Sequence, residues 1–319
     1  MTIDPARTMR CGFVAVVGAP NAGKSTLVNR LVGSKISIVT HKVQTTRMRI
    51  RGVAITGDSQ IVLIDTPGLF EPRRRLDRAM VTAAWNGVSD ADASVLMIDA
   101  RDMLQSGATK DATAHKIAIK PEIQKIIDQL GSTKRKVILA LNKIDAVPKP
   151  LLLEMTNEFK GEDVFNSIFM ISALKGDGAD DLKKHLAEIV PEGPWLFPED
   201  QVADLPLRSL AAEITREKLI LRLHQELPYV STVETESWTE KRDGSVKIEQ
   251  IIYVTRDSHK PIVLGKKGQT LKDIGQSVRV EMEQVFARRV HLFLFVKVRA
   301  KWTEDPLRYR AMGLEFPNE

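Results

Sequence analysis

The sequence predicts two domains: an α/β domain with a mixed, mostly parallel sheet covered by helices on both faces, then a smaller α+β domain. Three observations carry this. Over residues 1–193, short apolar strand runs alternate with helical segments. Pro191, Pro194, Pro198 and Pro206 then punctuate a stretch that can be neither a long helix nor a central strand, so 194–206 reads as a linker. Over residues 207–302 the order becomes helix, hairpin, helix, strand, and 303–319 is left as a tail.

The elements follow in order. Phe13 to Val17 is an apolar run ending at Gly18, and a helical stretch follows from Lys24 to Leu31. Arg47 to Thr56 and Ser59 to Ile64 are separated only by Gly57-Asp58, so they pair as a hairpin and one edge of the sheet is antiparallel. Leu76 to Val88 has helical periodicity. Val95 to Ile98, Val137 to Leu141 and Ile168 to Ile171 repeat the buried-strand pattern, with helices around Glu122 to Leu130 and over Asp180 to Val190. In the second domain, Leu207 to Glu226 places Leu210, Ile214 and Leu221 at helical spacing. Val230 to Glu240 and Val246 to Thr255 turn at Asp243-Gly244. Leu271, Ile274, Val278, Met282 and Val285 stripe a second helix, and Val290, Leu292, Leu294, Val296 and Val298 alternate as a final strand.

Composition narrows the class. With 43% apolar and 28% charged residues the chain reads as an ordinary globular protein. No run approaches the ~18 apolar residues of a membrane span, and the opening MTIDPARTMR is too polar for a signal peptide's core. The single cysteine, Cys11, excludes an internal disulfide and fits a reducing compartment. These points predict a cytoplasmic protein. The net charge of +6 is uneven: residues 207–302 hold 18 Lys+Arg against 12 Asp+Glu, whereas 1–206 hold 27 against 25. A basic excess is either a solvated face or a polyanion site, and charge alone does not choose.

Motifs do. Gly18-Ala19-Pro20-Asn21-Ala22-Gly23-Lys24-Ser25, followed by Thr26, sits between a predicted strand and helix. Its glycines let backbone N–H groups wrap phosphates at a helix N-terminus, Lys24 reaches the β- and γ-phosphates, and Ser25 binds Mg²⁺. Asp65-Thr66-Pro67-Gly68 ends a strand: the carboxylate serves the same metal and the Gly68 N–H the γ-phosphate. In Gln44-Thr45-Thr46-Arg47 one threonine completes the metal shell, Thr46 in preference to Thr45. Asn142-Lys143-Ile144-Asp145 gives the base. Asp145 accepts from guanine N1–H and the 2-amino group, donors that adenine lacks, and such sites reject an analogue by ~10⁴–10⁵. Asn142 meets the N7/O6 side, the Lys143 stem lies along the base, and Ser172-Ala173-Leu174 offers the Ala173 N–H to O6. GTP and GDP with Mg²⁺ are the expected ligands, and an ATPase or kinase is excluded.

Together these five stretches resemble the translation-factor-related GTPases, and the Pro20-Asn21 pair with Gln44-Thr45-Thr46-Arg47 narrows the likeness to the Era-like branch. The second domain, with Gly265-Lys266-Lys267-Gly268 between its elements, resembles a type II K-homology domain. A P-loop GTPase domain followed by one such domain is the layout of the Era family, and the likeness runs from about Gly12 to about Trp302. The resemblance implies RNA binding at Ile262, Val263, Leu264, Gly265, Lys266, Lys267, Gly268 and Lys272. It also implies a partner in small-subunit ribosomal RNA near its 3′ end, action in assembly of the small ribosomal subunit, peripheral contact with the inner membrane, and a monomer. About one GxxG is expected by chance from 19 Gly, so its place before a helix gives it meaning. The alternative for this domain is docking of protein or membrane partners. Three departures stand out: a long charged segment Arg101 to Lys136, Leu174 where Lys or Glu is commoner, and a loosely matching tail from Thr303 to Glu319.

Lys24, Thr46, Gly68 and Asn21 are the expected catalytic groups. Leu69 stands where many GTPases place a water-orienting Gln, which implies slow intrinsic turnover. For Asn21 two readings remain: ligand of a potassium ion, as in related GTPases with this Pro-Asn pair, or a brace of the loop.

Overall fold

A computed structural model describes residues 8–106, 115–133 and 135–317. Part of the charged segment between Arg101 and Lys136, at 107–114 and 134, lies outside the described residues, as does the start of the polar N-terminal stretch. The chain divides into two compact units: residues up to Ile36 with Thr46–Asp204, and Ser37–Thr45 with Leu205–Glu319.

The first unit contains β1 (Arg10–Gly18), α1 (Lys24–Val32), β2 (Ile50–Thr56), β3 (Ser59–Asp65), α2 (Arg75–Asp90) and β4 (Ala93–Asp99). There follow β5 (Leu104–Ser106), β6 (His115–Ile117), α3 (Pro121–Gly131), β7 (Lys136–Asn142), α4 (Lys149–Asn157), β8 (Phe165–Ile171) and α5 (Ala179–Ile189). Six strands form one sheet in the order β2-β3-β1-β4-β7-β8. Only β2 runs antiparallel, pairing with β3 across the two-residue turn at Gly57-Asp58. The parallel strands are nearly continuous apolar runs because both faces are covered. Ala15 and Val17 of β1 join the cluster beneath α2, α3 and α4. By strand alternation, Val14 and Val16 turn to the opposite face, where α1 and α5 pack together. Each such side chain removed from water contributes ~1.5–3 kcal/mol.

Helix α4 is absent from the sequence reading. Pro148 precedes its nine residues and Pro150 stands in the first turn, which masks the pattern although proline is tolerated there. Only Leu152 and Met155 are buried on it. The proline-rich stretch also differs from a free tether. Gln60 accepts the backbone N–H groups of Leu196 (2.9 Å) and Phe197 (3.0 Å). The Val53 N–H donates to the Val202 carbonyl, and the Asp204 N–H to that of Arg51. Residues 196–204 thereby lie along the edge of the β2–β3 hairpin within the first unit.

The second unit contains α6 (Leu207–Arg222), β9 (Thr232–Glu240), β10 (Val246–Val254), α7 (His259–Leu264), α8 (Gln269–Phe286), β11 (Val290–Val298) and α9 (Pro306–Ala311). The sheet order is β11-β10-β9, with β9–β10 an antiparallel hairpin and β10–β11 parallel. A parallel pair needs a crossover, and α7 with α8 supplies it. Ile214, Leu219, Ile248, Ile252, Val263, Ile274 and Val278 form the core between α6, α8 and the sheet. Helix α6 ends at Arg222, four residues short of the predicted Glu226, where Leu223 turns to extended backbone. The tail is more ordered than its sequence suggests. Asp305 caps α9 by accepting from the Leu307 N–H, with proline at the first helical turn. Trp302 is fully buried, its indole donating to the Val230 carbonyl at 2.9 Å.

Candidate functional site

The first unit gathers its chemistry at one end of the sheet. β1 ends at Gly18, β3 at Asp65, β4 at Asp99, β7 at Asn142, and Ser172 follows β8. These are the carboxyl ends of parallel strands, where open α/β sheets bind ligands.

Two glycines make the loop between β1 and α1 possible. Gly18 has φ 144° and a Cβ there would lie 2.3 Å from the Met97 carbonyl oxygen. Gly23 has φ 101°, and a Cβ would meet Asn142 Nδ2 at 2.2 Å. The Lys24 Nζ is buried and donates to the carbonyls of Gly18 (3.1 Å) and Ala19 (2.9 Å). Burial pushes its ammonium down to about 8, with Asp65 opposing. A buried cation held by neutral carbonyls is a site suited to an anion.

The three expected metal ligands converge. Ser25 Oγ donates to Asp65 Oδ2 at 2.7 Å, Ser25 Oγ and Thr46 Oγ1 are 2.9 Å apart, and Thr46 Oγ1 lies 3.5 Å from the same carboxylate oxygen. Two hydroxyls and a carboxylate are hard oxygen donors of the kind Mg²⁺ takes while keeping water and phosphate oxygens. Among the described residues no three His, Cys, Asp or Glu side chains gather as an alternative metal cage. Thr45 is elsewhere: its hydroxyl pairs with Thr40 and with the Lys42 carbonyl. Within the second unit, segment 37–45 is fastened to α6, where Glu217 accepts the Val39 N–H at 2.8 Å, Lys42 reaches the Ile220 carbonyl, and Arg216 donates to the Thr45 carbonyl.

Gly68 packs on Pro20, with 2.9 Å between its would-be Cβ and Pro20 Cγ. Leu69 is buried in the core and its N–H donates to the Gly18 carbonyl, so it holds the loop and presents nothing to a water. The Thr66 hydroxyl donates to the Val16 carbonyl, which makes it structural. Asn21 is exposed at φ 63°, and its carbonyl, not its amide, is engaged.

At the base end, Asp145 Oδ1 accepts from Ser172 Oγ at 2.7 Å, and Lys175 lies 3.8 Å from Oδ2. The Ser172 hydrogen bond holds the carboxyl below its ordinary range, so it is an anion. Asn142 is a brace. Its Nδ2 donates to the Ala22 carbonyl at 2.7 Å and its Oδ1 accepts the Ala173 N–H at 2.9 Å. That N–H, expected to meet guanine O6, here donates to Asn142 and ties the Ser172–Leu174 turn to the phosphate loop. Leu174 is 71% exposed. Two residues escaped the sequence reading. Arg30 of α1 donates to the Ala173 and Leu174 carbonyls. Asp99 bonds Lys143, and its signal was available: like Asp65, it ends a buried strand.

In the second unit, Gly265 (φ 72°), Lys267 (φ 52°) and Gly268 (φ 77°) form a tight turn between α7 and α8. Alanine at Gly265 would place Cβ 2.1 Å from Thr270 Oγ1. Lys266, Lys267 and Lys272 are exposed, and Ile262 is 57% exposed beside them. Val263 is not available as a contact: it is fully buried among the core residues, with Leu264 packed against it. The helical turn of α7 that exposes Ile262 directs Val263 inward, where it anchors the loop.

The 50S ribosome-binding GTPase family matches residues 13–143, and the KH domain family matches 226–303. The chain is 57% identical to GTPase Era of Brucella melitensis over 312 residues, 98% of this chain and 96% of that protein. It is 56% identical over 308 residues to GTPase Era of Rhizobium meliloti, covering 97% and 94%. Crystal structures of Era resemble it over the full length. One holds MgGDPNP and nucleotides 1506–1542 of 16S ribosomal RNA, with TM-score 0.86 and 39% identity over 96% of this chain and 99% of the other. A point variant of Aquifex aeolicus Era bound to GDP and AlF4⁻ matches at the same TM-score, identity and coverage.

Proposed function

The chain belongs to the Era family of GTPases, and on that premise we propose that it binds the 3′ end of 16S ribosomal RNA through the Gly265–Gly268 turn and acts in assembly of the small ribosomal subunit. The first unit is the GTPase and the second the RNA-binding domain. The observation that carries the reading is the turn itself: positive φ at three of its residues, exposed lysines, and a buried Val263 behind it, the arrangement of a clamp for a nucleic-acid backbone. The full-length likeness to an Era structure that holds such RNA supports it. The 50S ribosome-binding GTPase family matches the GTPase core alone, residues 13–143.

In the first unit Ser25, Thr46 and Asp65 would hold Mg²⁺, which when bound neutralises charge on the β- and γ-phosphates. Lys24 binds the same oxygens, and Asp145 selects guanine. No side chain at position 69 orients the attacking water, so turnover is slow. For Asn21 both readings stand: ligand of a potassium ion, as in GTPases with this Pro-Asn pair, or a brace of the loop.

The test is titration of a labelled oligonucleotide of the 16S 3′ end with the GTP-analogue form of the chain and of its Lys266→Asp, Lys267→Asp variant. Removing two cations from the phosphate backbone should flatten the log–log salt slope by about 1.4 and weaken binding, with hydrolysis in the absence of RNA unchanged. Undiminished RNA binding by the folded variant refutes the assignment.

A further inference from the structure

We propose that Asp99 is the positioning residue for Lys143, holding it against the phosphate loop and so setting how long a guanine nucleotide stays bound. The inference rests on the guanine-site reading of Asn142 to Asp145.

Lys143 has two reasons to need a partner. Its backbone is in the left-handed region, φ 64° and ψ 35°, so its direction is set by a turn that a side chain must help to hold. Its four-carbon stem carries rotamer entropy that must be given up before the stem can lie along a base. Two oxygens fix the ammonium: the Asn21 carbonyl at 2.6 Å and Asp99 Oδ2 at 2.6 Å. The first belongs to an exposed loop residue. The second is anchored: the Asp99 side chain is 7% exposed at the end of β4. Arg101 donates to it from Nη2 (2.8 Å), from Nε (3.1 Å) and from its backbone N–H (3.0 Å). A buried carboxylate is tolerated only when so paired. Burial pushes the Asp99 carboxyl up, but the hydrogen bonds from Arg101 and Lys143 outweigh it and hold it below the ordinary range, so the partner offered to Lys143 is an anion. The chain Arg101–Asp99–Lys143–Asn21 joins the end of β4, the guanine motif and the phosphate loop in one hydrogen-bonded line.

The competing role is local. Asp99 also caps the short turn Ala100–Met103 through the Arg101 N–H. Asp99→Asn separates the two, because the amide oxygen can still accept that N–H while the other position turns from acceptor to donor and opposes the Lys143 ammonium.

The experiment measures release of N-methylanthraniloyl-GDP from the full chain for the parent, Asp99→Asn, Lys143→Met and the double variant, with GTP hydrolysis alongside. Asp99→Asn should speed release about tenfold and raise KM while leaving kcat near the parent value. The double variant should release no faster than Lys143→Met alone, since both substitutions remove one interaction. Release by Asp99→Asn within twofold of the parent, or single effects that multiply in the double variant, overturns the proposal while leaving the guanine site standing. If Lys143→Met itself releases at the parent rate, Lys143 does not hold the nucleotide and this inference is overturned. Parent protein that binds N-methylanthraniloyl-ADP as tightly as the GDP probe would sink the guanine-site reading instead. Should the Asn variant fold poorly, Asp99→Ser, which keeps a cap acceptor and lacks the carboxylate, is read against the same two outcomes.

Discussion

The nucleotide end of the first unit and the Gly265–Gly268 turn of the second are both glycine-shaped loops that open a helix and carry lysine, yet they are built in opposite ways. In the first, Lys24, Asp65 and Asn142 are buried and hydrogen-bonded to neighbouring elements. In the second, Lys266 and Lys267 stand in solvent, and only the backbone and the Val263 anchor are fixed. The difference follows from the ligands. A nucleotide has one shape, so side chains frozen in advance lower the cost of binding it. An RNA strand presents a repeating phosphate backbone in many conformers, and a rigid turn with solvent-facing cations suits it. Substitutions in the first region should therefore act on selectivity, and substitutions in the second on salt-dependent affinity.

The sharpest break of that contrast is Asp145→Asn. The variant replaces an acceptor of two guanine donors with an amide, leaving one donor opposed and the Ser172 hydroxyl with a weaker partner. GTP affinity should fall by about 10²-fold or more, the scale of a lost charge-assisted hydrogen bond plus an unpaired group. Xanthosine triphosphate, whose 2-oxo group accepts from the amide, should bind more tightly than GTP. Competition binding of the two triphosphates checks this, and equal GTP binding by variant and parent would show that selectivity does not reside at Asp145.

Asn21 blurs the contrast, because it is an exposed amide inside the pre-bonded loop. If it holds a potassium ion, it belongs with the ligand-facing groups; if it only braces the turn, its carbonyl bond to Lys143 is its whole contribution. Replacing potassium by sodium at constant ionic strength should slow hydrolysis about tenfold in the parent and have no effect in Asn21→Ala, as expected for loss of one charge facing the transition state. Equal parent rates in both salts assign Asn21 to the brace.

How much of this was legible in the sequence depended on whether local chemistry or distant packing made the decision. Gly18–Ser25 and Asp65–Gly68 were legible because the positive φ at Gly18 and Gly23 and the strand ends are local requirements. Thr46, preferred to Thr45, has its hydroxyl 2.9 Å from that of Ser25 and 3.5 Å from Asp65 Oδ2. What stayed hidden was set by residues far away in the chain. Segment 37–45 looks like an ordinary polar loop until Glu217 and Arg216 take its backbone groups and the end of α6 takes the Lys42 ammonium. Nothing beside Ala173 in the sequence names Asn142, 31 residues earlier, as the partner of its N–H. Val263 shares its apolar character with Ile262, and only the packing of α7 decides which of them faces solvent. Asp99 was readable by analogy with Asp65, but nothing next to it in sequence names Lys143 as its partner.

The smallest effect tests how firmly the pre-bonded region depends on a single hydroxyl. Ser172 holds the Asp145 carboxyl below its ordinary value of 3.8, and guanine requires the ionised form. A depressed carboxyl contributes affinity that is present at neutral pH and is lost only as pH falls through the depressed value. Removing the hydroxyl in Ser172→Ala moves that window upward, toward 3.8. At pH 7.5 the variant should lose a few-fold in GDP affinity, because Asp145 is no longer oriented and the charge is unchanged. Between about pH 5 and pH 4 the variant should lose about a further twofold relative to the parent, as part of its carboxylate takes up a proton. The ratio of the two dissociation constants at each pH is the quantity to measure, because titration of the nucleotide's own phosphate cancels in it. A ratio that stays constant from pH 7.5 to pH 4 would mean that Ser172 only orients Asp145, with Lys175 at 3.8 Å then the group that keeps it charged.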